Sequence, residues 1–401
     1  MADWLLPVPP DRFVRRLVAL ERRVRDAILG GRAASVEEES GVAREAAASS
    51  GYTGDTLYRI DERGEAALLE YCADWARDLA RPMVLVAEGL PGDGRRVLPE
   101  TADPADADFE CIVDPIDGTR GLMYDKRSAW ALAAVAPGAG RLGRRPTLAD
   151  VVVAVQSEIP TSRARLADVV WAVAGHQAQG QTEDLGTGAV RPMRCAPSRA
   201  TTLAHGFATI AKFFPGVKEA AAWLEERLFA EVVGESAGGA PLVFDDEYIS
   251  SGGQLYELMV GHDRFVADLR PVLMAAAHRR AAGGAGAVGS GPPGLPGGTT
   301  ALYRGAAGSA GAAGVGPAAL RRLCARPYDL CTELIARAAG VVVTDAWGRR
   351  LAAPLDTDTD VAWIGYANDH LRRRIEPVLQ RLLRDLGAPD PPWARSLKSE
   401  D

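Results

Sequence analysis

Two aspartates, Asp114 and Asp117, lie three residues apart in the segment VDPIDGT, directly after a run of apolar residues. The apolar run predicts a buried strand, and Pro115 stiffens the turn that follows it. Carboxylates at this separation can share a divalent cation, and such hard oxygen ligands suit Mg²⁺, whose shell a substrate phosphate usually completes. Gly118 permits close approach of the backbone, and a helix or turn that begins at Thr119 would direct N–H groups at an anion. Asp-Pro and Asp-Gly are also common turn dipeptides, so a turn without a ligand is the alternative.

The elements that must position this segment can be read from the hydrophobic pattern. Helical spacing of apolar residues predicts a helix over residues 11–29, which Gly30 and Gly31 end, and a second helix over residues 61–79. A buried strand is predicted over residues 83–87, directly before Glu88. The strands that follow have no long helical crossovers between them, so the first half predicts helices packed on a mainly antiparallel sheet.

The second half of the chain alternates predicted helices and strands, which indicates a second α/β layer. The first of these helices is predicted over residues 207–231. We therefore expect two parts, residues 1–195 with most of the metal ligands and residues 196–401 as an α/β subdomain. Residues 278–319 are rich in Gly, Ala and Pro, and we interpret them as a flexible insertion, with a lid over the site as the alternative.

Composition limits the classes of function. The formal charge of −7 argues against a nucleic-acid-binding protein, because such proteins need a basic surface. The five cysteines form no CxxC pair and fit neither a disulfide framework nor a zinc ribbon, so a reducing cytoplasm is the simpler interpretation. No apolar run is long enough for a signal-peptide core or a membrane span. We expect a soluble cytoplasmic protein with no membrane partner.

Three segments together resemble the inositol monophosphatase family, part of the superfamily of lithium-sensitive, magnesium-dependent sugar and nucleotide phosphatases. They are VLVAEGL, VDPIDGT and RPYDLCTELIARAAGVVVTD, which stand in the family's order. GDTLYRIDERGEAALLE resembles the family's threonine-and-aspartate segment, and VAWIGYANDHLRRRIEPVL resembles its final strand and helix. The resemblance covers roughly residues 50–380. It implies a layered α-β-α-β-α sandwich of the inositol monophosphatase and fructose bisphosphatase type, which is an α+β or α/β fold.

The resemblance also implies a role for individual residues. The implied ligands of two or three Mg²⁺ ions are Glu88, Asp114, the Ile116 backbone carbonyl, Asp117 and Asp329. The backbone amides of Gly118 and Thr119 would hold the substrate phosphate, and the Thr119 hydroxyl and Asp61 would help to deprotonate the attacking water. The implied partners are a small phosphorylated substrate and a second copy of the chain in a homodimer.

Several positions depart from the family pattern. Where the family often has two adjacent glutamates, this chain has Glu88 followed by Gly89. Arg120, a candidate substrate-binding residue, and Gly121 resemble the bisphosphate nucleotidase branch rather than inositol phosphatases. Asp268 is the candidate for the family's substrate-selecting acid, and a solvated strand-end aspartate is the alternative. SSGGQLYELMVG resembles the family's helix start beside the substrate, with a plain cap at Ser251 as the alternative.

These observations predict a Mg²⁺-dependent phosphomonoesterase that hydrolyses a small sugar or cyclitol phosphate. An alternative within the enzyme class is 3′-phosphonucleotide or fructose-bisphosphatase-like specificity. An alternative from another class is a non-catalytic protein that binds metal or phosphate.

Overall fold

The computed structural model describes residues 6–38, 59–234, 242–283 and 324–390, and the side chains of these residues except 32–38, 59–63 and 280–283. The helices are α1 (Pro10–Glu38), α2 (Arg59–Leu79), α3 (Thr119–Met123), α4 (Ala139–Leu142), α5 (Lys218–Val233), α6 (Ser251–Val260), α7 (Arg270–Gly283), α8 (Glu333–Ala339) and α9 (Asp369–Asp385). The strands are β1 (Met83–Ala87), β2 (Arg95–Leu98), β3 (Phe109–Asp117), β4 (Ala129–Pro137), β5 (Val153–Ile159), β6 (Leu166–Val173), β7 (Gln179–Asp184), β8 (Val190–Met193), β9 (Gly206–Ile210), β10 (Val243–Phe244), β11 (Asp263–Asp268), β12 (Val342–Asp345) and β13 (Trp363–Tyr366).

These strands form two sheets. The first has the order β2-β1-β3-β4-β5-β6-β7-β8, and all of its neighbours are antiparallel except β1 and β3, which are parallel. The second has the order β10-β9-β11-β13-β12. The predicted, mainly antiparallel first sheet is therefore present. The division of the chain at residues 195 and 196 stays a prediction, although the first sheet ends before it and the second begins after it.

The sheets and helices stack in five layers. Alternate residues of β1, Met83 and Leu85, pack with Phe13, Leu17 and Trp75 of α1 and α2 in one core. Val84 and Val86 point to the other face of the sheet, into a core shared with α6, α8 and the second sheet. Helices α5 and α9 contact each other and the outer face of the second sheet. This order confirms the predicted α-β-α-β-α sandwich.

Three element predictions need correction. Helix α1 does not end at Gly30 and Gly31 but continues to Glu38, because glycine inside a helix costs only about 1 kcal/mol relative to alanine. The helix predicted over residues 207–231 is strand β9 followed by helix α5. The segment RPVLMAAAHRRAAG, for which no helix was predicted, forms α7. Residues 278–283 of the predicted insertion belong to that helix, and residues 284–319 lie outside the described residues.

No helix in the described ranges is both long enough and apolar enough to cross a bilayer.

Candidate metal centre

The site is built where β1 and β3 end side by side. The two strands are parallel, and Ala87 lies opposite Val113. Their following residues, Glu88 and Asp114, therefore lie at the same edge of the first sheet. The turn that was predicted to follow the apolar run at Pro115 is part of the strand, because β3 continues to Asp117 with an irregular register between the two aspartates. Pro115 lies in this irregularity, where its missing N–H removes no regular ladder hydrogen bond.

The irregularity brings two carboxylates of β3 together with one from a distant part of the chain. Asp329 lies in a single 3₁₀ turn, Tyr328–Leu330, which packs against β3 and β4. One ligand atom from each of Asp114, Asp117 and Asp329 lies within 4.8 Å of the other two. The backbone N–H of Arg326 donates to Asp329 Oδ2 at 2.6 Å and holds the orientation of that carboxylate. Three of the four carboxylates predicted as metal ligands thus form one cluster.

Helix α6 holds Asp117 from the opposite layer. The Gly252 N–H and the Ser250 hydroxyl donate to Asp117 Oδ2 at 2.6 and 2.9 Å. Ser250, rather than Ser251, is the N-cap of the helix, and its hydroxyl accepts from the Gly253 N–H at 2.8 Å. A Cβ on Gly252 would lie 2.6 Å from Leu132 Cδ2 and 3.0 Å from Asp117 Oδ2. Only glycine therefore lets the helix start come this close to the carboxylate.

The cluster is electrostatically unfavourable without a cation. Asp114 is 1% exposed, and burial together with the charges of Glu88, Asp117 and Asp329 raises its pKa well above the ordinary range. Burial and the charge of Asp329 raise the pKa of Asp117 to about 8. Like charges gathered out of water oppose ionisation, and a bound divalent ion reverses that effect.

The hydrogen bonds of Asp114 indicate whether the residues of the cluster fit a metal ion. Asp114 Oδ1 accepts from the Ile116 N–H at 2.9 Å. Asp114 Oδ2 is buried and accepts no hydrogen bond. An unpaired buried acceptor is rare and costs about 1–3 kcal/mol. Asp114 Oδ2 belongs to a cluster of three carboxylates, and such a set of oxygen ligands fits a hard cation such as Mg²⁺.

Glu88 stands beside this cluster but outside its tightest group. It lies in the turn after β1, is half-buried, and its charge raises the pKa of both Asp114 and Tyr328. It is not among the residues whose ligand atoms lie within 4.8 Å of one another. Glu88 therefore lies near the three aspartates, but it does not belong to the cluster that they form.

The residues after Asp117 form a tight turn into α3. Gly118 is its N-cap and has φ +98° and ψ +24°, a left-handed conformation that favours glycine. The Thr119 hydroxyl donates to the Ile116 carbonyl at 2.9 Å. The predicted water-activating hydroxyl thus contacts the predicted carbonyl ligand, and a carbonyl oxygen has a second lone pair for a cation.

Asp61 lies in α2, and its side chain is outside the described residues. The helix itself reaches the site, because Gly64, three residues later, packs against the turn of β3. A Cβ on Gly64 would lie 3.2 Å from Pro115 Cβ. The role predicted for Asp61 stays a prediction.

The alternative that Asp268 is a solvated aspartate at a strand end is wrong, because its side chain is buried. It is 1% exposed at the end of β11, and its Oδ1 accepts from Arg270 Nε at 2.8 Å. The Arg270 guanidinium lies over the Phe213 ring at 4.3 Å and the Phe214 ring at 5.2 Å. The predicted substrate-binding residue Arg120 lies over the same Phe214 ring at 5.4 Å. The structure therefore places Arg120 and Arg270, the ion-pair partner of Asp268, around one aromatic pair.

Sequence reasoning did not predict three of these contacts, although SSGGQLYELMVG was predicted to start a helix beside the substrate. Ser250 and Gly252 carry a signal, because Ser-Ser-Gly-Gly before an apolar run is typical of a helix start, but their contact with Asp117 depends on how the layers pack. The contact of Arg270 with Asp268 depends on the helix α7 that the pattern did not predict.

Comparison with known proteins identifies the class of fold, which is that of the inositol monophosphatase and fructose-1,6-bisphosphatase structures. Fructose-1,6-bisphosphatase of Leishmania major matches with a TM-score of 0.58 and 13% identity over 94% of this chain and 95% of that one. The extragenic suppressor protein SuhB of Bartonella henselae matches with a TM-score of 0.53 and 14% identity over 92% and 99% of the two chains. The IMPase of Thermotoga maritima matches with a TM-score of 0.52 and 13% identity over 94% and 100%. No family model and no curated protein sequence matches this chain. The comparisons thus confirm the predicted fold.

Proposed function

We propose that this protein is a Mg²⁺-dependent phosphomonoesterase that hydrolyses a small phosphorylated sugar or cyclitol. The observation that carries the proposal is the cluster of Asp114, Asp117 and Asp329, in which the buried oxygen Asp114 Oδ2 accepts no hydrogen bond. The fold agrees with it, because the similar structures include a fructose-1,6-bisphosphatase and an IMPase.

The three aspartates, Glu88 and the Ile116 carbonyl would hold the ions. Bound Mg²⁺ would lower the pKa of a water molecule and neutralise charge on the phosphate ester. The chain's own contribution is mainly positioning, as is usual for phosphoryl transfer. Asp117 is fixed by Ser250 and Gly252, as described above. In the proposal, Gly118 and Thr119 orient the phosphate, and Asp61 with the Thr119 hydroxyl takes up the proton of the attacking water.

A panel of substrates tests this function. Purified protein with Mg²⁺ should release inorganic phosphate from at least one inositol or sugar monophosphate, and Li⁺ should inhibit the release. Asp114→Asn should abolish it, while Asp263→Asn, which replaces another buried aspartate outside the cluster, should retain it. Release that survives Asp114→Asn or thorough chelation contradicts the metal mechanism. Mg²⁺ binding without activity on any substrate would favour the non-catalytic alternative.

A second candidate specificity is for substrates with two anionic groups. The observation that favours it is the pair of arginines, Arg120 and Arg270, which lie over the Phe214 ring at 5.4 and 5.2 Å. Burial lowers the pKa of Arg270, but Asp268 and, to a smaller extent, Asp329 raise it on balance, so this arginine lies within electrostatic reach of the cluster. Fructose bisphosphate and adenosine 3′,5′-bisphosphate therefore belong in the panel. A preference for them over monophosphates supports this specificity.

We further propose that the protein works in the cytoplasm as a homodimer. Cys72, Cys111, Cys195, Cys324 and Cys331 are all free thiols, as expected in a reducing compartment. Light scattering of the purified protein tests the dimer, and a monomer at micromolar concentration would contradict it.

A further inference from the structure

Helix α2 carries a glycine in its interior at the point where it meets the metal centre. Gly64 is buried, and a Cβ there would lie 3.2 Å from Pro115 Cβ and 3.7 Å from Ile116 Cδ1. Glycine inside a helix is unfavourable by about 1 kcal/mol relative to alanine. Close packing of the helix on the Pro115–Ile116 segment gives a physical reason for this residue, since a larger side chain would push the helix away from the site.

The next residue of the helix, Glu65, reaches the other side of the site. A Cβ on Gly89 would lie 1.7 Å from Glu65 Oε1 and 2.2 Å from Glu65 Cδ. The Glu65 carboxylate therefore occupies the volume that a side chain at residue 89 would fill. Gly89 has φ +86°, so the turn also favours glycine for its backbone conformation.

This contact places a second carboxylate next to Glu88. Gly89 directly follows Glu88, which is a proposed ligand of the ions, so the Glu65 carboxylate lies on the turn that carries this ligand. A second ionised carboxylate on this turn would add negative charge beside Glu88. Such an addition is unfavourable by itself and becomes favourable when a divalent cation is bound.

We propose that Glu65 is a further carboxylate of the cation site, supplied by helix α2 in the place of a side chain at residue 89. The inference rests on the proposed Mg²⁺ site and adds a residue to it. Glu65 acts as a positioning residue that supports Glu88 and contributes charge, and Gly89 is the glycine that makes room for it.

Calorimetric titration of the full chain with Mn²⁺, as the probe for the site, tests the proposal without using activity. Glu65→Gln keeps the shape of the side chain and removes its charge, and it should weaken Mn²⁺ binding about tenfold or more, as loss of a supporting residue does at other metal sites. The matched control is Glu70→Gln on the same helix, where the exposed Glu70 carboxylate pairs with Arg23 at 2.7 Å. The control should bind Mn²⁺ as the wild type does.

A second variant approaches the same contact from the other side. Gly89→Ala would displace the Glu65 carboxylate, so it should also weaken Mn²⁺ binding. The Glu65→Gln/Gly89→Ala double variant should bind no more weakly than Gly89→Ala alone, because both changes remove one interaction. Fully additive losses would contradict the proposed contact.

The outcomes separate this inference from the proposed function. If Asp114→Asn abolishes Mn²⁺ binding while Glu65→Gln retains wild-type affinity, the role of Glu65 is refuted and the metal site stands. If Asp114→Asn also retains wild-type affinity, the metal site itself is refuted. A Glu65→Gln protein that unfolds at a lower temperature in chelator but binds Mn²⁺ normally would show that Glu65 is only structural, which also overturns the inference.

Discussion

The pH dependence of stability should reveal the cost of keeping the carboxylates of the metal centre together without an ion. Asp117 has its pKa raised from 3.8 to about 8 by burial and by Asp329. A carboxyl group with a raised pKa in the folded state binds a proton more tightly there than in the unfolded chain. Its contribution to stability is complete below pH 3.8 and is lost progressively as the pH rises to about 8.

The size of the effect follows from the same shift. Inside this window one group changes the free energy of unfolding by about 1.4 kcal/mol per pH unit. Between about pH 5 and about pH 7 the metal-free protein should therefore lose about 3 kcal/mol from Asp117. Asp114, whose pKa is also raised, should add to the loss in the same direction. Saturating Mg²⁺ should abolish this part of the slope, since the ion binds the ionised carboxylates and only in the folded state.

Urea unfolding in chelator and in Mg²⁺, at a series of pH values, measures these slopes. Asp117→Asn should flatten the slope in chelator relative to the wild type. Asp263 provides a matched control, because burial and the charges of Glu257 and Asp246 raise its pKa to about 7 away from the metal centre. Asp263→Asn should change the slope equally in chelator and in Mg²⁺. An Asp117→Asn protein with the wild-type slope in chelator, or a wild-type slope that Mg²⁺ leaves unchanged, would refute the reasoning.

Three further predictions concern packing around the site and the core. Gly252→Ala should weaken Mg²⁺ binding about tenfold or more in calorimetry, because its Cβ would meet Leu132 and Asp117. The control is Gly30→Ala, where a Cβ meets nothing within 4 Å, and it should leave Mg²⁺ binding unchanged. Arg120→Ala should raise KM for a bisphosphate more than for a monophosphate. Arg227→Ala, which removes an arginine over the Trp223 ring, should change neither KM value. If Arg120→Ala raises both KM values equally, a second anion subsite is contradicted. Trp75→Ala should reduce the free energy of unfolding by about 3–5 kcal/mol in urea titrations, because its buried ring packs on Phe13 and Phe109; a loss below about 1 kcal/mol would show that this core is loosely packed.

Hydrophobic patterns alone predicted the elements that end at the metal centre. The strand over residues 83–87 is present with the predicted bounds, and Asp329, which is far away in the sequence, meets Asp114 and Asp117 in the fold. These predictions succeeded because strands buried on both faces are continuous apolar runs, and a carboxylate directly after such a run must lie at the sheet edge. The motif order then linked the third aspartate to the other two.

Other contacts could not be predicted because they depend on tertiary packing. Residues 206–210 are short and apolar, so their pattern is compatible with helix or strand, and pairing with β11 decides for strand. The ion pair of Asp268 depends on Arg270 at the start of α7, which follows β11 directly. The contact between Glu65 and Gly89 joins a helix to a turn, and no periodicity in the sequence indicates it.

The position of Asp329 has a consequence for how the chain holds together. Asp114 and Asp117 belong to the first sheet, whereas Asp329 comes from the part of the chain that builds the second sheet. An ion bound by all three would act as a reversible cross-link between distant parts of the chain, and because it binds only the folded state, its binding free energy adds to the free energy of unfolding. Loading the ion should then make the two sheets unfold as one unit and protect the connection between them, residues 194–205, from proteases. A fragment that ends before residue 329 would keep two of the three aspartates and lose this link.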